Sequence, residues 1–177
     1  MDAFVVVDMQ AGLLSGAPKH DLTGVVARIN ALASAVRRRS GRVIWIRHCG
    51  KPGDLFERRA PGWAFLPELD RHADDLVVEK TLNDSFAGTS LLAALEQLAT
   101  DRVVVAGWAT DFCVDTTVRS AVSHGFHVVV AADAHTVADR PHLPAADVIG
   151  HHNWVWKGLI TDQSIHVVPT DQLIDES

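Results

Sequence analysis

Cysteine is scarce in this 177-residue chain, which also has no long apolar run and no extended basic cluster. Its two cysteines, Cys49 and Cys113, are too few and too far apart for a disulfide framework or a cysteine-based zinc site. No apolar stretch approaches the roughly 20 residues of a bilayer-spanning helix. The N-terminus enters an apolar run without the basic start and cleavage site of a secretory signal. These absences predict a cytoplasmic protein without a membrane partner.

Positive charge is also in short supply, because the formal net charge at pH 7 is −6. The one run of basic residues, three arginines at 37–39, falls at the end of a helical pattern, where cations suit the helix dipole. A nucleic-acid surface needs a basic patch or stripe. The composition therefore argues against a nucleic-acid partner.

Six short apolar runs, rich in β-branched residues, recur along the chain. They are continuous rather than alternating, which is typical of strands covered on both faces. The runs occupy residues 4–7, 43–46, 76–78, 103–106, 127–130 and 165–168. With 47% hydrophobic residues, a chain of this length can bury one core, so a single domain over residues 1–177 is expected.

Between these runs, apolar residues recur at helical spacing. Thr89 is the expected N-cap of the second helix, and Gly125 is the expected residue just past the third. Pro144 and Gly158 bracket the fourth. The alternation predicts an α/β fold, a three-layer α/β/α sandwich around a mainly parallel six-stranded sheet. Residues 48–75 fit neither pattern and are expected to form a long ordered loop with one helical turn. The four predicted helices cover residues 22–36, 91–98, 114–122 and 148–159.

Three reactive side chains follow three of the predicted strands. Asp8 closes the first strand, Lys80 closes the third, and Cys113 comes shortly after the fourth. Ligands of open parallel sheets bind beyond the carboxyl ends of the strands, so all three are predicted at one edge. Each has a plainer interpretation alone: a turn cap, a surface cation and a buried small hydrophobe. One geometric rule places all three together, and this favours a site.

The three side chains also make chemical sense together. A helix N-terminus and a nearby ammonium favour the thiolate of Cys113, so a resident thiolate is expected. Asp8 can take the thiol proton and later return it to a leaving group. Backbone N–H groups in the first turn of the helix can hold an oxyanion. These are the parts of an acyl-transfer site.

Three motifs that contain these residues resemble the isochorismatase-like cysteine hydrolases, a group that includes nicotinamidases and N-carbamoylsarcosine amidohydrolases. Another segment, Asp-Ala-His-Thr at 133–136, resembles the family's Asp-Ala-x-x segment after the fifth strand. The motifs are Val-Val-Asp-Met-Gln at 6–10, Val-Glu-Lys-Thr at 78–81 with Ser-Phe-Ala-Gly-Thr at 85–89, and Gly-Trp-Ala-Thr-Asp-Phe-Cys-Val at 107–114.

The resemblance implies a role for each residue. Asp8 would be the base, Lys80 the charge-stabilising partner and Cys113 the nucleophile. A cis peptide bond between Trp108 and Ala109 is implied, with the N–H groups of Ala109 and Cys113 forming the oxyanion hole. The implied fold is the Rossmann-like, isochorismatase-like hydrolase fold. The implied reaction is hydrolysis of an amide-type C–N bond through a thioester, and the presence of the cysteine favours this amidase branch.

The resemblance is incomplete where nicotinamidases bind a metal. Those enzymes carry an Asp-x-His and a further His, whereas the second strand here leads into Arg-His-Cys-Gly-Lys at 47–51. No metal site and no cofactor are therefore expected. His48 is expected either to face the pocket or to make a structural hydrogen bond. The adjacent His151 and His152 would point about 100° apart on a helix, which disfavours a shared metal.

Aromatic residues near the motifs are candidates for the wall of a substrate pocket. Trp108 and Phe112 flank the nucleophile, and Phe86 and Trp63 are further candidates for substrate binding. A position in the core is the alternative for each of them.

The partners implied by the resemblance are a small-molecule substrate and further copies of the same chain. A homo-oligomer, either a dimer or a tetramer, is expected. Trp154 or Trp156, exposed on the fourth helix, could provide the contacts between subunits.

Two other functions remain open from the sequence. Cys113, with Cys49, could form a thiol redox or peroxide-reactive protein, although Cys49 has no nearby Cys-x-x-Cys partner and is expected to be passive. Alternatively, the chain could be a catalytically silent binding module. Asp8 and Lys80 favour the hydrolase, because a redox thiol does not need that base.

Overall fold

A six-stranded sheet forms the centre of the molecule, and every strand in it runs parallel to its neighbours. The computed structural model describes residues 1–175. The strands are β1 Asp2–Val7, β2 Arg42–His48, β3 Leu76–Lys80, β4 Arg102–Trp108, β5 His127–Thr136 and β6 Ile165–Val168. Their order in the sheet is β3-β2-β1-β4-β5-β6, so the chain builds one half of the sheet outward from β1 and then returns to build the other half from β4.

Helices cover both faces of this sheet, which confirms the predicted three-layer α/β/α fold. The helices are α1 Ala11–Leu14, α2 Leu22–Arg38, α3 Leu91–Gln97, α4 Asp115–Ser123, α5 Ala145–Lys157 and α6 Thr170–Asp175. One buried cluster joins the sheet to α2 and α6, and the other joins it to α3, α4 and α5. Within residues 1–175, no helix has both the length and the apolar character needed to cross a membrane.

The central strand β1 shows why its sequence is a continuous apolar run. Ala3, Val5 and Val7 point into the cluster beneath α3–α5, whereas Phe4 and Val6 point into the cluster beneath α2 and α6. All five are fully buried. Successive side chains of a strand alternate between faces, so a strand covered on both sides needs apolar residues at every position.

Several boundaries differ from the sequence-based prediction: α5 covers Ala145–Lys157, and the short helices α1 and α6 have no counterpart among the predicted helices. Two further differences fall within the motifs. The fifth strand does not end at residue 130, because its pairing with β4 shifts and then resumes at Gly107 and Trp108. Residues 133–136 therefore lie within the strand rather than after it. The N-cap of α3 is Ser90 rather than Thr89, whose hydroxyl instead accepts a hydrogen bond from the N–H of Leu91 at 3.1 Å.

The long segment between β2 and β3 is an ordered loop with one 3₁₀ turn, Pro61–Trp63. The buried side chain of Gln10 ties this loop to the strand ends. Its amide nitrogen donates to the carbonyls of His48 and Trp63, each at 3.0 Å, and its oxygen accepts the N–H of His48 at 2.7 Å. Gln10 thereby fixes the exit of β1 against the exit of β2.

The close approach of β1 and β4 depends on a glycine. Gly107 has φ +120°, and a Cβ at this position would lie 2.2 Å from the carbonyl oxygen of Val7. Gly107→Ala should therefore lower the free energy of unfolding by about 3 kcal/mol or more, because backbone strain and overpacking combine. Urea unfolding followed by circular dichroism measures the change.

The matched control is Gly150→Ala on α5. No atom lies within 4 Å of a Cβ at this position, and alanine is the better helix former. This variant should be about 1 kcal/mol more stable than the parent protein. Equal stability of the Gly107 and Gly150 variants would contradict the close packing of β1 against β4.

Candidate active site

The carboxyl edge of the sheet has a crevice where the winding direction changes, between β1 and β4. Such a switch point is the usual ligand site of an open parallel sheet. Asp8 follows β1 directly and adopts a left-handed backbone conformation with φ 50°, which is uncommon outside glycine. Lys80 is the last residue of β3, and Cys113 lies in the turn that follows β4. The structure thus brings the three predicted residues to one edge.

Lys80 is the group that joins the other two. Its Nζ lies 2.6 Å from Asp8 Oδ2 and 3.3 Å from Cys113 Sγ. The same Nζ donates to the carbonyl of Leu82 at 2.9 Å and lies 3.4 Å from Nδ1 of His48. The side chains of Lys80 and Asp8 are 0% and 1% exposed, so this ion pair is removed from water.

Burial changes the ionisation of the acid and the thiol. It raises the pKa of Asp8, although the charge of Lys80 acts in the opposite direction. Burial and the negative charge of Asp8 raise the pKa of Cys113 to about 12, again against the effect of Lys80. The sequence-based expectation of a resident thiolate is therefore wrong. Cys113 is a thiol at neutral pH, and it needs a base before it can attack.

The turn that carries Cys113 is wider than an ordinary helical turn. The peptide bond between Trp108 and Ala109 is cis, the geometry that the resemblance implies. The carbonyl of Ala109 then accepts the N–H groups of Phe112 at 3.0 Å and Val114 at 3.1 Å. Residues Thr110–Val114 form one π-helical turn, and α4 continues from Asp115. Cys113 therefore lies in the first turn of this helical segment, as the sequence predicts.

A pocket of about 290 Å³ opens over the thiol. Trp108 and Phe112 form part of its wall, in agreement with the prediction, and His48 faces it as well. Phe112 remains 51% exposed, which leaves it available to a ligand. The full lining comprises Asp8, Leu13, His48, Phe56, Asn83, Trp108, Ala109, Phe112, Cys113 and Arg140.

Two predicted wall residues do not line the pocket. Phe86 is buried in the core, where it packs against His124 and Phe126 with ring centroids 4.9 and 6.3 Å away. Trp63 stacks under the guanidinium of Arg47 at 3.4 Å and donates its Nε1 hydrogen to Cys49 Sγ at 3.3 Å. Nearness to the motifs predicts a position in the wall for both residues, whereas both pack against other side chains outside the pocket.

Four wall residues are not found by the sequence analysis: Leu13, Phe56, Asn83 and Arg140. Asn83 and Arg140 follow the ends of β3 and β5 by three and four residues, so the strand-end rule could have included them. Leu13 and Phe56 come from α1 and from the long loop, and nothing in their spacing marks them.

Arg140 is fixed at the pocket by an ion pair and an aromatic contact. Its Nε and Nη2 bind the two carboxylate oxygens of Asp111 at 2.7 and 2.6 Å. The guanidinium also lies 5.1 Å from the centroid of the Phe112 ring. The hydrogen bonds that Arg140 donates to Asp111 raise the pKa of Arg140, and the pair ties the end of β5 to the turn that carries Cys113.

The remaining candidates fall outside the pocket. Cys49 is 7% exposed and contacts Trp63 and Arg58 rather than the other cysteine. Trp154 is 75% exposed, but Trp156 is fully buried. The predicted role of Trp156 in contacts between subunits is therefore wrong. Over residues 1–175, the structure shows no group of three or more His, Cys, Asp or Glu side chains placed to hold a metal ion.

The raised pKa of Cys113 leads to a test on the unliganded protein. In a Cys49→Ala background, the rate of alkylation by iodoacetamide should rise about tenfold per pH unit from about pH 7 to pH 10, because the thiolate fraction is still far from saturation. Mass spectrometry of quenched samples measures the rate, with glutathione as the comparison thiol. A plateau below pH 8 would show that a thiolate is resident after all.

Comparisons with known proteins identify related sequences and a related fold. Residues 2–147 match the family model described as the isochorismatase domain. A streptothricin hydrolase from Streptomyces noursei is 32% identical over 145 residues, which cover 81% of this chain and 52% of that protein. A maleamate amidohydrolase from Pseudomonas putida is 31% identical over 134 residues, which cover 76% of this chain and 60% of that protein.

A solved structure shows the same fold. The crystal structure of an isochorismatase from Pseudomonas putida KT2440 superposes with a TM-score of 0.87 at 28% identity, covering 97% of this chain and 89% of that one. The chain spans about half the length of the streptothricin hydrolase that it matches. The domain match, the sheet order and the residues gathered at its switch point lead to one conclusion: the chain belongs to the isochorismatase family.

Proposed function

We propose that this protein is a cysteine-dependent hydrolase that cleaves an amide-type C–N bond of a small molecule through a thioester on Cys113. One observation carries the proposal. A single buried ammonium, that of Lys80, contacts both the Asp8 carboxylate and the Cys113 sulfur at the base of a pocket. A nucleophile, a base and a cation that stabilises both are the parts required for acyl transfer.

In the first half of the reaction, Asp8 accepts the thiol proton as Sγ attacks the amide carbon. The carbonyl π electrons move to oxygen, and the N–H groups of Ala109 and Cys113 stabilise the resulting oxyanion. The C–N bond then breaks, and Asp8 returns its proton to the leaving nitrogen. The raised pKa of Asp8 suits this exchange, because a general base works best when its pKa is near the working pH.

In the second half, water replaces the amine. Asp8 accepts a proton from the water as its oxygen attacks the thioester carbon. The C–S bond breaks, the carboxylic acid leaves, and the proton on Asp8 returns to Cys113. Lys80, which contacts both groups, offsets the negative charge that moves between Asp8 and the sulfur. Each proton that enters Asp8 leaves it again, so the cycle closes without a cofactor.

The shape of the pocket points to a small substrate. Its volume of about 290 Å³ lies just below the roughly 300–1,000 Å³ typical of drug-sized ligands. Leu13, Phe56, Trp108 and Phe112 supply apolar surface, and Asn83 supplies a hydrogen-bonding side chain. We expect a small amide with an apolar or flat body. The names of the two hydrolases described above support the class of reaction, and neither name defines the substrate of this chain.

The redox alternative fits the structure less well. A peroxide-reactive cysteine depends on thiolate character, whereas burial and Asp8 keep Cys113 protonated. Cys49 is held by Trp63 and Arg58 and does not face the pocket. Only a measurement of substrate turnover distinguishes the hydrolase from the catalytically silent binding module.

The two cysteines form a natural pair for testing the nucleophile. Cys113→Ala should abolish ammonia release from a panel of small amides, because the reaction loses its attacking atom. Cys49→Ala should retain most of the activity, since this thiol lies outside the pocket. Ammonia is measured in a coupled assay, and circular dichroism checks the fold of both variants. Activity that survives in Cys113→Ala and disappears in Cys49→Ala would overturn the assignment.

Asp8→Asn separates the hydrolase from the redox protein. The amide is nearly isosteric but accepts no proton, so turnover should fall by about 10²-fold or more. The same change removes a negative charge that raises the pKa of Cys113, so oxidation of this thiol by hydrogen peroxide should become faster or stay unchanged. Stopped-flow oxidation and amide turnover are measured on the same folded sample. Parallel loss of both activities would contradict the role of Asp8 as a proton shuttle.

A further inference from the structure

Helix α5 contacts the segment that carries the nucleophile, although it contributes nothing to the pocket. Trp156, which is fully buried, donates its Nε1 hydrogen to Asp115 Oδ1 at 2.7 Å. Asp115 is the first residue of α4, two positions after Cys113. One turn earlier on the same helix, Asn153 reaches towards the buried ring of His135. The nucleophile segment is thus held from the side that faces away from the substrate.

Asn153 determines which nitrogen of His135 carries the proton. Its Nδ2 donates to the carbonyl of Ala132 at 2.9 Å, so its Oδ1 must be the atom that lies 3.0 Å from His135 Nε2. An amide oxygen only accepts, and Nε2 must therefore be protonated. Burial lowers the pKa of His135 to about 4, so the ring is neutral at pH 7 and Nδ1 carries no hydrogen.

The other ring nitrogen then fixes a hydroxyl in the nucleophile turn. His135 Nδ1 lies 2.9 Å from Oγ1 of Thr110, and an unprotonated Nδ1 can only accept, so the Thr110 hydroxyl donates. Thr110 is fully buried, and it directly follows Ala109. None of Thr110, His135 and Asn153 lines the pocket.

We infer that Asn153, His135 and Thr110 form a directed hydrogen-bond chain that positions the turn bearing Ala109 and Cys113, so that both N–H groups meet the oxyanion. The inference rests on the proposed function. The three residues act through the turn and touch no substrate, so they are positioning residues. A turn anchored at Thr110 on one side and at Asp115 on the other has little freedom to rotate its N–H groups away from the pocket.

The test variant removes the hydroxyl of Thr110 and keeps the shape of the side chain. Thr110→Val should lower kcat by about 10-fold to 100-fold with KM within about twofold, because small misplacements of reacting groups are costly. Thr110→Ser restores the donor and should recover kcat to within about threefold of the parent protein.

Thr117→Val is the matched control. Thr117 is equally buried, lies on α4, and shares a 2.7 Å hydrogen bond with Ser85 in the core. The change removes the same group and should cost stability without lowering kcat. If Thr117→Val lowers kcat as much as Thr110→Val, the effect is general loosening and the inference is wrong.

Two further readouts are independent of turnover. In ¹⁵N-histidine spectra at pH 7, His135, assigned by the loss of its signals in His135→Asn, should show a protonated Nε2 and an unprotonated Nδ1. The opposite tautomer, or a charged ring, would contradict the proposed hydrogen-bond chain.

The rate of alkylation of Cys113 by iodoacetamide should change at least about threefold in Thr110→Val and less than about twofold in Thr117→Val. Equal alkylation rates would also contradict the proposed hydrogen-bond chain. Absence of amide turnover in the parent protein would count against the proposed function alone.

Discussion

The buried ion pair between Lys80 and Asp8 is the interaction on which the rest of the site depends. Two charges that are almost completely shielded from water lose their hydration, and only their mutual attraction and further hydrogen bonds compensate for that loss. Removing one partner of such a pair typically costs about 3–5 kcal/mol, because the other charge is left uncompensated. The pair also crosses the sheet, since β3 supplies the ammonium and β1 the carboxylate, with β2 between them. The ion pair therefore depends on the strand order that brings the ends of β3 and β1 to the same edge of the sheet.

On the proposed mechanism, this ion pair explains how a thiol that is protonated at rest can serve as a nucleophile. Burial and the nearby carboxylate hold the proton on sulfur, and the lysine limits the energetic cost of moving it. On the proposed mechanism the proton moves from Sγ to a carboxylate whose own pKa is raised. A thiol kept in this state is protected from adventitious oxidation, which requires thiolate character. On the proposed mechanism, reactivity appears when a substrate occupies the pocket.

Much of the fold, and the meeting of the candidate site residues at one edge of the sheet, could be predicted from the sequence, for physical reasons that apply to particular residues. Strands buried on both faces must be continuously apolar, as β1 is, and the carboxyl-end rule then selects Asp8, Lys80 and Cys113. The thiolate could not be predicted correctly, because the depth of burial and the distance to Asp8 are properties of the assembled site. The residues of the pocket wall could not be predicted fully, for a similar reason. Phe86 packs against the end of α4 instead of lining the pocket. Phe56 reaches the wall from a loop whose path no periodic sequence pattern encodes.

Helix α5 has a consequence for where this domain ends as a physical unit. The match to the family stops at residue 147, only three residues into that helix. Every group assigned to the chemistry lies before that point, yet Trp156 fills the core beneath the sheet and bonds Asp115 from beyond it. A fragment that ended at residue 147 would keep every side chain assigned to the proposed chemistry. It would lack Trp156, and with it the contact to Asp115 that holds the turn bearing Cys113. The limit of the family match and the limit of the packed core are therefore different places in this chain.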